Sequence, residues 1–269
     1  MLIKYFLVKG DNNLKTKFLA IMFVCLFNLN NSFSQVNIES FREEAKKEGF
    51  YGSLNCGIQL QKGNVNSQAY ELKKDLHYKY NKHHILLKSS VSKGYQDKIL
   101  YRNNAFSHFR YTIMLHNFIG YEIFTQTQYD EFKDLSLRQL NGVGIRIEKV
   151  ITKTKIFKFA FGTGIMSDYE QISYETTMNA RITSYMTIIK SFVNDNSSFI
   201  SITSYYQPLL LNYKDYRVNN EVNLRSSILK SKLFKLGINT SFAYLHDSEP
   251  AVKIKKSDII FKTGIAVIW

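Results

Sequence analysis

Any chemistry done by this 269-residue chain has to come from a small set of side chains. Its six histidines are His77, His83, His84, His108, His116 and His246. His246-Asp247-Ser248 brings base, acid and nucleophile types together, yet three consecutive side chains point in different directions and cannot line up as a proton relay. That triplet reads as a polar loop. His83 and His84 are neighbours and would face opposite sides of a strand, and no other His, Asp or Glu spacing resembles a metal site. Asp130, Glu131 and Asp134 could gather a divalent cation, helped by Asp168 or Glu170 from an expected loop over 167–177, because calcium favours carboxylate-rich loops. Simple solvation is the commoner fate of such a loop. Gly142-Val143-Gly144 and Gly162-Thr163-Gly164 fall inside strands rather than at strand-to-helix turns, so they are not phosphate cradles. The sequence points to no cofactor, no resident metal and no enzyme.

What it does offer is charge at alternate positions. Glu71, Lys73 and Asp75 occupy every second residue of one segment, and Arg217, Glu221 and Arg225 share a face of another. Arg102, Arg110, Glu122, Arg138, Arg146 and Arg181 hold equivalent places elsewhere. Alternation puts each set on one side of a strand. The other side is apolar: Tyr70, Leu72, Leu76, Tyr78 and Tyr80 stand against the Glu71 set, and Val218, Val222, Leu224 and Ile228 against the Arg217 set.

The elements that carry these faces recur about every twenty residues. Clear alternating segments are 50–60, 70–80, 155–165, 216–228, 234–244 and 259–269; weaker ones are 84–93, 100–112, 118–129, 135–148, 180–190 and 199–211. Breaks are expected at Lys62-Gly63-Asn64, Asn81-Lys82, Gly94, Leu115-His116-Asn117, 130–134, 152–153, 167–177, 194–198, 212–215, 230–232 and 246–250. Twelve strands is the reading, with ten or fourteen also compatible. Segments of ten or more residues match what a tilted strand needs to cross a bilayer. Lysine or arginine on a lipid face costs ~2–4 kcal/mol at mid-depth, so the charged sets must look inward. The expected fold is therefore all-β, a transmembrane antiparallel barrel over 49–269. Glycines on the inward side, Gly120 among them, would relieve crowding where a small barrel curves, or leave a groove for a plug such as residues 40–48.

Both chain ends fit this reading. Lys4, Lys9, Lys15 and Lys17 precede an apolar run, 18–29, with small residues in Ser32-Phe33-Ser34, the pattern of a secretory signal peptide cleaved after Ser34. The run is short for a helix needing ~20 residues to span. Residues 35–48 form a periplasmic lead. One cysteine, Cys56, then remains, so no internal disulfide is expected. Only two prolines, with 20 Phe and 18 Tyr, suit an aromatic-belted strand protein. The carboxyl end, with Ile265, Val267 and Trp269 on one face, is what an outer-membrane barrel presents to the insertion machinery. The net charge of +14 would suit nucleic acid, but a secreted strand protein meets anionic lipid first. Outer-membrane lipid and lipopolysaccharide are the expected partners of a monomer with both termini in the periplasm of a Gram-negative cell.

Gly49-Phe50-Tyr51-Gly52-Ser53-Leu54, the turn Lys62-Gly63-Asn64-Val65-Asn66-Ser67, and 130–138 followed by Gly142-Val143-Gly144 resemble the family of salt-induced outer-membrane proteins, a domain of unknown function. Lys62 stands where that family commonly has Thr. The resemblance implies location and fold, not a reaction. Two functional classes stay open. One is a narrow porin-like pore for small or anionic solutes, tied to osmotic or salt conditions; an arginine excess would favour anions in an open path. The other is a closed structural or binding barrel. An outer-membrane lipid-modifying enzyme is a distant third.

Overall fold

In the computed structural model the described residues are 48–62, 66–116, 118–150, 157–172, 175–192, 198–231, 235–250 and 254–268. The signal-peptide reading, 1–34, and the lead reading, 35–48, lie outside them, apart from Glu48. Among the described residues there are twelve strands: β1 (Gly49–Gln61), β2 (Ser67–Tyr80), β3 (His83–Gln96), β4 (Ile99–Met114), β5 (Ile119–Asp130), β6 (Leu135–Val150), β7 (Phe157–Ile172), β8 (Glu175–Ser191), β9 (Phe199–Pro208), β10 (Tyr216–Lys230), β11 (Lys235–Asp247) and β12 (Ser257–Ile268). Each pairs antiparallel with its neighbours in the chain, and β1 meets β12 to close the ring. One rim carries the start of β1 and the end of β12. The opposite rim carries the turns after β1, β3, β5, β7, β9 and β11.

The alternating pattern dictates which side chain faces where. Val143, Ile145 and Ile147 of β6 are 42–52% exposed, while Arg138, Leu140 and Arg146 on its other face are at most 7% exposed. The same contrast runs round the ring: Leu72, Val91, Ile123, Ile165, Leu224, Ile238 and Phe261 are all exposed on the outer wall. A water-soluble monomer rarely shows a contiguous apolar patch beyond a few hundred Å². An apolar belt on every strand is a surface made for hydrocarbon, and strands of 10–17 residues are long enough to cross it. Exposed Phe50, Tyr78, Tyr80 and Phe118 lie toward the terminal rim and Tyr70, Tyr206 and Tyr213 toward the other, as aromatic girdles do. The molecule is a transmembrane β-barrel.

Two expected breaks move. Gly94 does not end β3, because the turn comes at Asp97-Lys98, both with positive φ (46° and 71°), the backbone that matches the twist of a two-residue hairpin. The expected outer loop 167–177 is mostly strand: β7 runs to Ile172 and β8 starts at Glu175. Its polar residues looked like loop because their partners, described below, are remote in sequence.

Replacing Ile145 by Arg puts a guanidinium in the middle of the outer belt. Urea titration of the protein folded in lipid vesicles is expected to show a loss of ~2–4 kcal/mol. A loss under about 1 kcal/mol, the figure for interfacial positions, would move this wall out of the hydrocarbon.

Candidate functional site

The barrel interior holds a dense set of charged side chains. Of the twelve positions singled out in the sequence, Asp75, Arg102, Arg110, Glu122, Arg138, Arg146, Arg181, Arg217 and Arg225 are buried; Glu71, Lys73 and Glu221 are half-buried. All sit on the inward side of their strands. They sort into three groups plus two outliers.

Toward the terminal rim, Glu122 is the hub. Arg110 approaches it at 3.0 Å, the Thr112 hydroxyl donates to it at 3.1 Å and the Tyr185 hydroxyl at 2.7 Å. Arg146 donates to the Tyr185 oxygen at 2.8 Å and pairs with Glu148 at 2.9 Å. Both guanidinium groups lie near the Tyr185 ring, at 5.5 and 5.7 Å from its centre. This group ties β4, β5 and β6 to β8 across the lumen.

Toward the loop rim, Asp168 and Glu170 are the hubs. Asp168 accepts from Arg181 and from Arg217, each at 2.8 Å. Glu170 pairs with Arg138 and, at 2.6 Å, with Arg217. Arg217 also reaches Asp247 at 2.9 Å, and Arg181 reaches Asp215 at 2.8 Å. Asp168 and Glu170 were expected in an outer loop; they are instead 0% and 6% exposed. Above this group, Lys133 bonds Asp258 at 2.9 Å. That bond joins the turn after β5 to the start of β12, on the far side of the mouth.

The third group flanks the β1–β12 seam: Glu71 lies 3.0 Å from Lys73 and 3.3 Å from Lys262, and Lys88 lies 4.0 Å from Asp75. Glu221 shares a cavity with Glu71, Lys73, Lys88 and Lys262. The outliers are Arg102, which donates to Ser92 at 3.5 Å, and Arg225, whose guanidinium lies 5.3 Å from the Phe199 ring centre.

Between the charged groups the lumen is bridged by apolar contact. Leu86 of β3 clusters with Tyr185 of β8 and Tyr205 of β9, and the two tyrosine rings are 5.4 Å apart. In the ring of strands β9 stands six places from β3, directly opposite. Leu86, Ser201 and Thr203 are 0% exposed and Thr187 1%. The inward glycines take up the aromatic bulk. Gly162 is paired with Tyr185 and Gly142 with Phe124 in register, and a Cβ on either glycine would collide with that ring. The plug reading for residues 40–48 lies outside the described residues, apart from Glu48.

Sequence reasoning missed Lys88, Lys262, Tyr185 and Leu86, and placed Asp168 and Glu170 in a loop rather than the lumen. Lys88 and Lys262 sit at inward-parity positions and could have been found by extending the alternation. The role of Tyr185 needed the register. Asp130, Glu131 and Asp134 do not converge: Asp130 caps the backbone N–H of Phe132, Glu131 turns to Asn103 and Tyr129, and Asp134 takes a left-handed backbone at φ 54°. Among the described residues no three metal-ligating side chains gather. His246 lies at the end of β11 rather than in a loop, and its Nδ1 is 2.9 Å from the Ser257 hydroxyl on the outer wall. Asp247 points inward to Arg217 instead, so it cannot orient that imidazole. His77 Nδ1 contacts His84 Nε2 at 3.1 Å, whereas His83 turns outward to Tyr111. Ile265 is exposed on the outer wall, Val267 pairs with Leu54, and Trp269 lies outside the described residues.

The model of a family described as "Protein of unknown function, DUF481" matches residues 54–269. The chain is a DUF481 protein. Among solved structures this DUF481 chain is similar to a NanC porin, with 10% identity over 81% of this chain and 97% of that one and a TM-score of 0.45. It is also similar to the beta domain of the Bordetella autotransporter BrkA, with 6% identity over 82% and 98% and a TM-score of 0.37. No curated protein matches the DUF481 chain.

Removing one member of a buried ion pair leaves the other charge stranded, a loss of about 3–5 kcal/mol. Glu122→Leu is expected to lose that much in urea unfolding, because Arg110 and the Tyr185 hydroxyl both depend on it. Adding Arg110→Leu should recover a large part of the loss. A strictly additive double variant would show that the two groups do not interact.

Proposed function

We propose that this DUF481 protein is an outer-membrane barrel whose lumen is held shut by its own side chains, and that it works as a binding and structural barrel rather than a freely conducting pore. One observation carries the reading: Leu86 meets Tyr185 and Tyr205 across the full width of the lumen. The bonded groups on either side of that bridge support it. Arg138, Arg181 and Arg217 are spent on Asp168, Glu170, Asp215 and Asp247, and Lys133 to Asp258 spans the loop-side mouth. An interior built this way resembles the small barrels whose lumens are filled, not the sixteen-stranded channels.

In this reading the terminal rim faces the periplasm, and the carboxyl-terminal residues Ile265, Val267 and Trp269 serve as the insertion signal. Lipid and lipopolysaccharide surround a monomer. A narrow anion-preferring pore is the second reading. It is favoured by the arginine excess among the twelve positions chosen from the sequence, which would select anions if the bridge opened, although buried Asp130, Asp168 and Glu170 offset that excess. Any link to salt or osmotic conditions would belong to that second reading.

Planar-bilayer recording separates the two. The unaltered protein is expected to give no sustained steps, whereas the triple variant Leu86→Ala, Tyr185→Ala, Tyr205→Ala gives discrete anion-preferring ones. Steady anion-selective conductance from the unaltered protein would overturn the closed barrel in favour of the pore.

A further inference from the structure

The ring of strands is unequally stitched. Among the described residues β1 pairs with β12 at two positions, Ser53 with Ile268 and Leu54 with Val267, whereas β1 pairs with β2 along its whole length, from Gly49 to Gln61. From Asn55 toward the loop rim, β1 and β12 run on as neighbours without a ladder between them. Strand edges with unmet N–H and C=O groups are not tolerated against hydrocarbon unless they line a polar or protein-filled space. Here they do line one. A cavity of about 150 Å³ sits behind the seam, bounded by the inward side chains of Lys73, Lys88, Lys262, Glu71 and Glu221.

The same cavity is also bounded by Cys56, Thr263 and Ile265. These have outward parity on β1 and β12, and Cys56 and Ile265 are exposed to the surroundings of the barrel. The lining runs through consecutive residues of both strands, Asn55 to Gly57 and Lys262 to Ile265, so the cavity lies directly against the unladdered stretch of the seam. The gap is lined by the smallest residue available: a Cβ on Gly264 would meet nothing within 4 Å. Behind it, Lys262 of β12 reaches past β1 to Glu71 of β2 at 3.3 Å, so one ion pair spans the break on the lumen side.

We propose that the β1–β12 seam is a lateral portal for an anionic, phosphate-bearing amphiphile. Its headgroup enters the cavity against Lys73, Lys88 and Lys262, and its acyl chains stay in the bilayer beside Ile265. Charge selects the class. Three ammonium groups line the cavity against two carboxylates, with Asp75 4.0 Å from Lys88 just behind the wall, and phosphate oxygens are acceptors for several lysine ammonium groups at once. Size selects too, because a space of this volume holds a headgroup and not a peptide helix or a second domain. The chemistry is shared by a bilayer phospholipid and by a phosphorylated glycolipid. The inference rests on the barrel being embedded in lipid, which heat-modifiable gel migration and membrane extraction establish independently of any ligand.

The test is native mass spectrometry of the membrane-extracted protein, with phosphatidylglycerol, phosphatidylcholine and inorganic phosphate as probes. The portal is expected to retain one phosphatidylglycerol per barrel. Lys88→Gln combined with Lys262→Gln should cut retention at least tenfold while gel migration still reports a folded barrel. Ile265→Cys, joined to Cys56 by a short bismaleimide, should abolish retention without touching any lysine. A phosphorylated glycolipid carried from the membrane in place of the probe, and lost in both variants, supports the portal and identifies its natural source. Retention by the crosslinked and lysine variants equal to that of the unaltered protein, or equal binding of phosphatidylcholine, would mean annular lipid only and overturn the proposal. So would phosphate binding alone as tightly, or a second copy of the chain occupying the seam.

Discussion

Everything in this barrel follows from one constraint: inside a bilayer, each backbone N–H and C=O must find its partner within the protein. A sheet can meet that demand only by closing on itself. Closure makes every strand two-sided, one side toward hydrocarbon and one toward the lumen, and so turns a two-residue alternation into a sorting of charge. Ile145 and Arg146 are neighbours in the chain, yet one is 47% exposed and the other 3%. No local propensity separates them. The bilayer does.

Sorting the charge inward creates the second problem, since desolvated arginines are costly alone. The interior answers with carboxylate hubs that each serve several donors. Glu122 receives Arg110, Thr112 and Tyr185, while Asp168 receives Arg181 and Arg217. Because those partners stand on strands up to several places apart, the same bonds that neutralise the charge also tie opposite walls together. The glycines on β6 and β7 make room for the aromatic side chains that reach inward between these hubs. Filling the lumen and satisfying its charges are thus one operation. The seam is where the closing operation is least complete, and it is there that Lys262 and Glu71 substitute an ion pair for a ladder.

The alternation alone was enough to read twelve strands, because period and polarity are local properties of the chain. Three things were not local. Asp168 and Glu170 looked like loop residues since nothing nearby explains their charge; their partners Arg138, Arg181 and Arg217 arrive through register. Gly162 announced a need for space, but only its cross-strand pairing with Tyr185 says what fills it. The turn at Asp97-Lys98 displaced the expected break at Gly94, because a two-residue hairpin is set by its own positive φ angles and not by the nearest glycine, which instead accommodates the Tyr101 ring.

The central claim is that the middle of the lumen is closed by the chain's own side chains. Thr203 lies there, fully buried, so the most direct measurement is thiol accessibility at that position. With Cys56 replaced by Ser and Thr203 by Cys, a water-soluble methanethiosulfonate reagent is applied to the folded protein in lipid vesicles. The closed lumen predicts negligible labelling until the barrel is unfolded. Rapid labelling in the folded barrel, at a rate matching a cysteine placed at exposed Tyr213 on the rim, would mean that water and solutes pass the bridge freely.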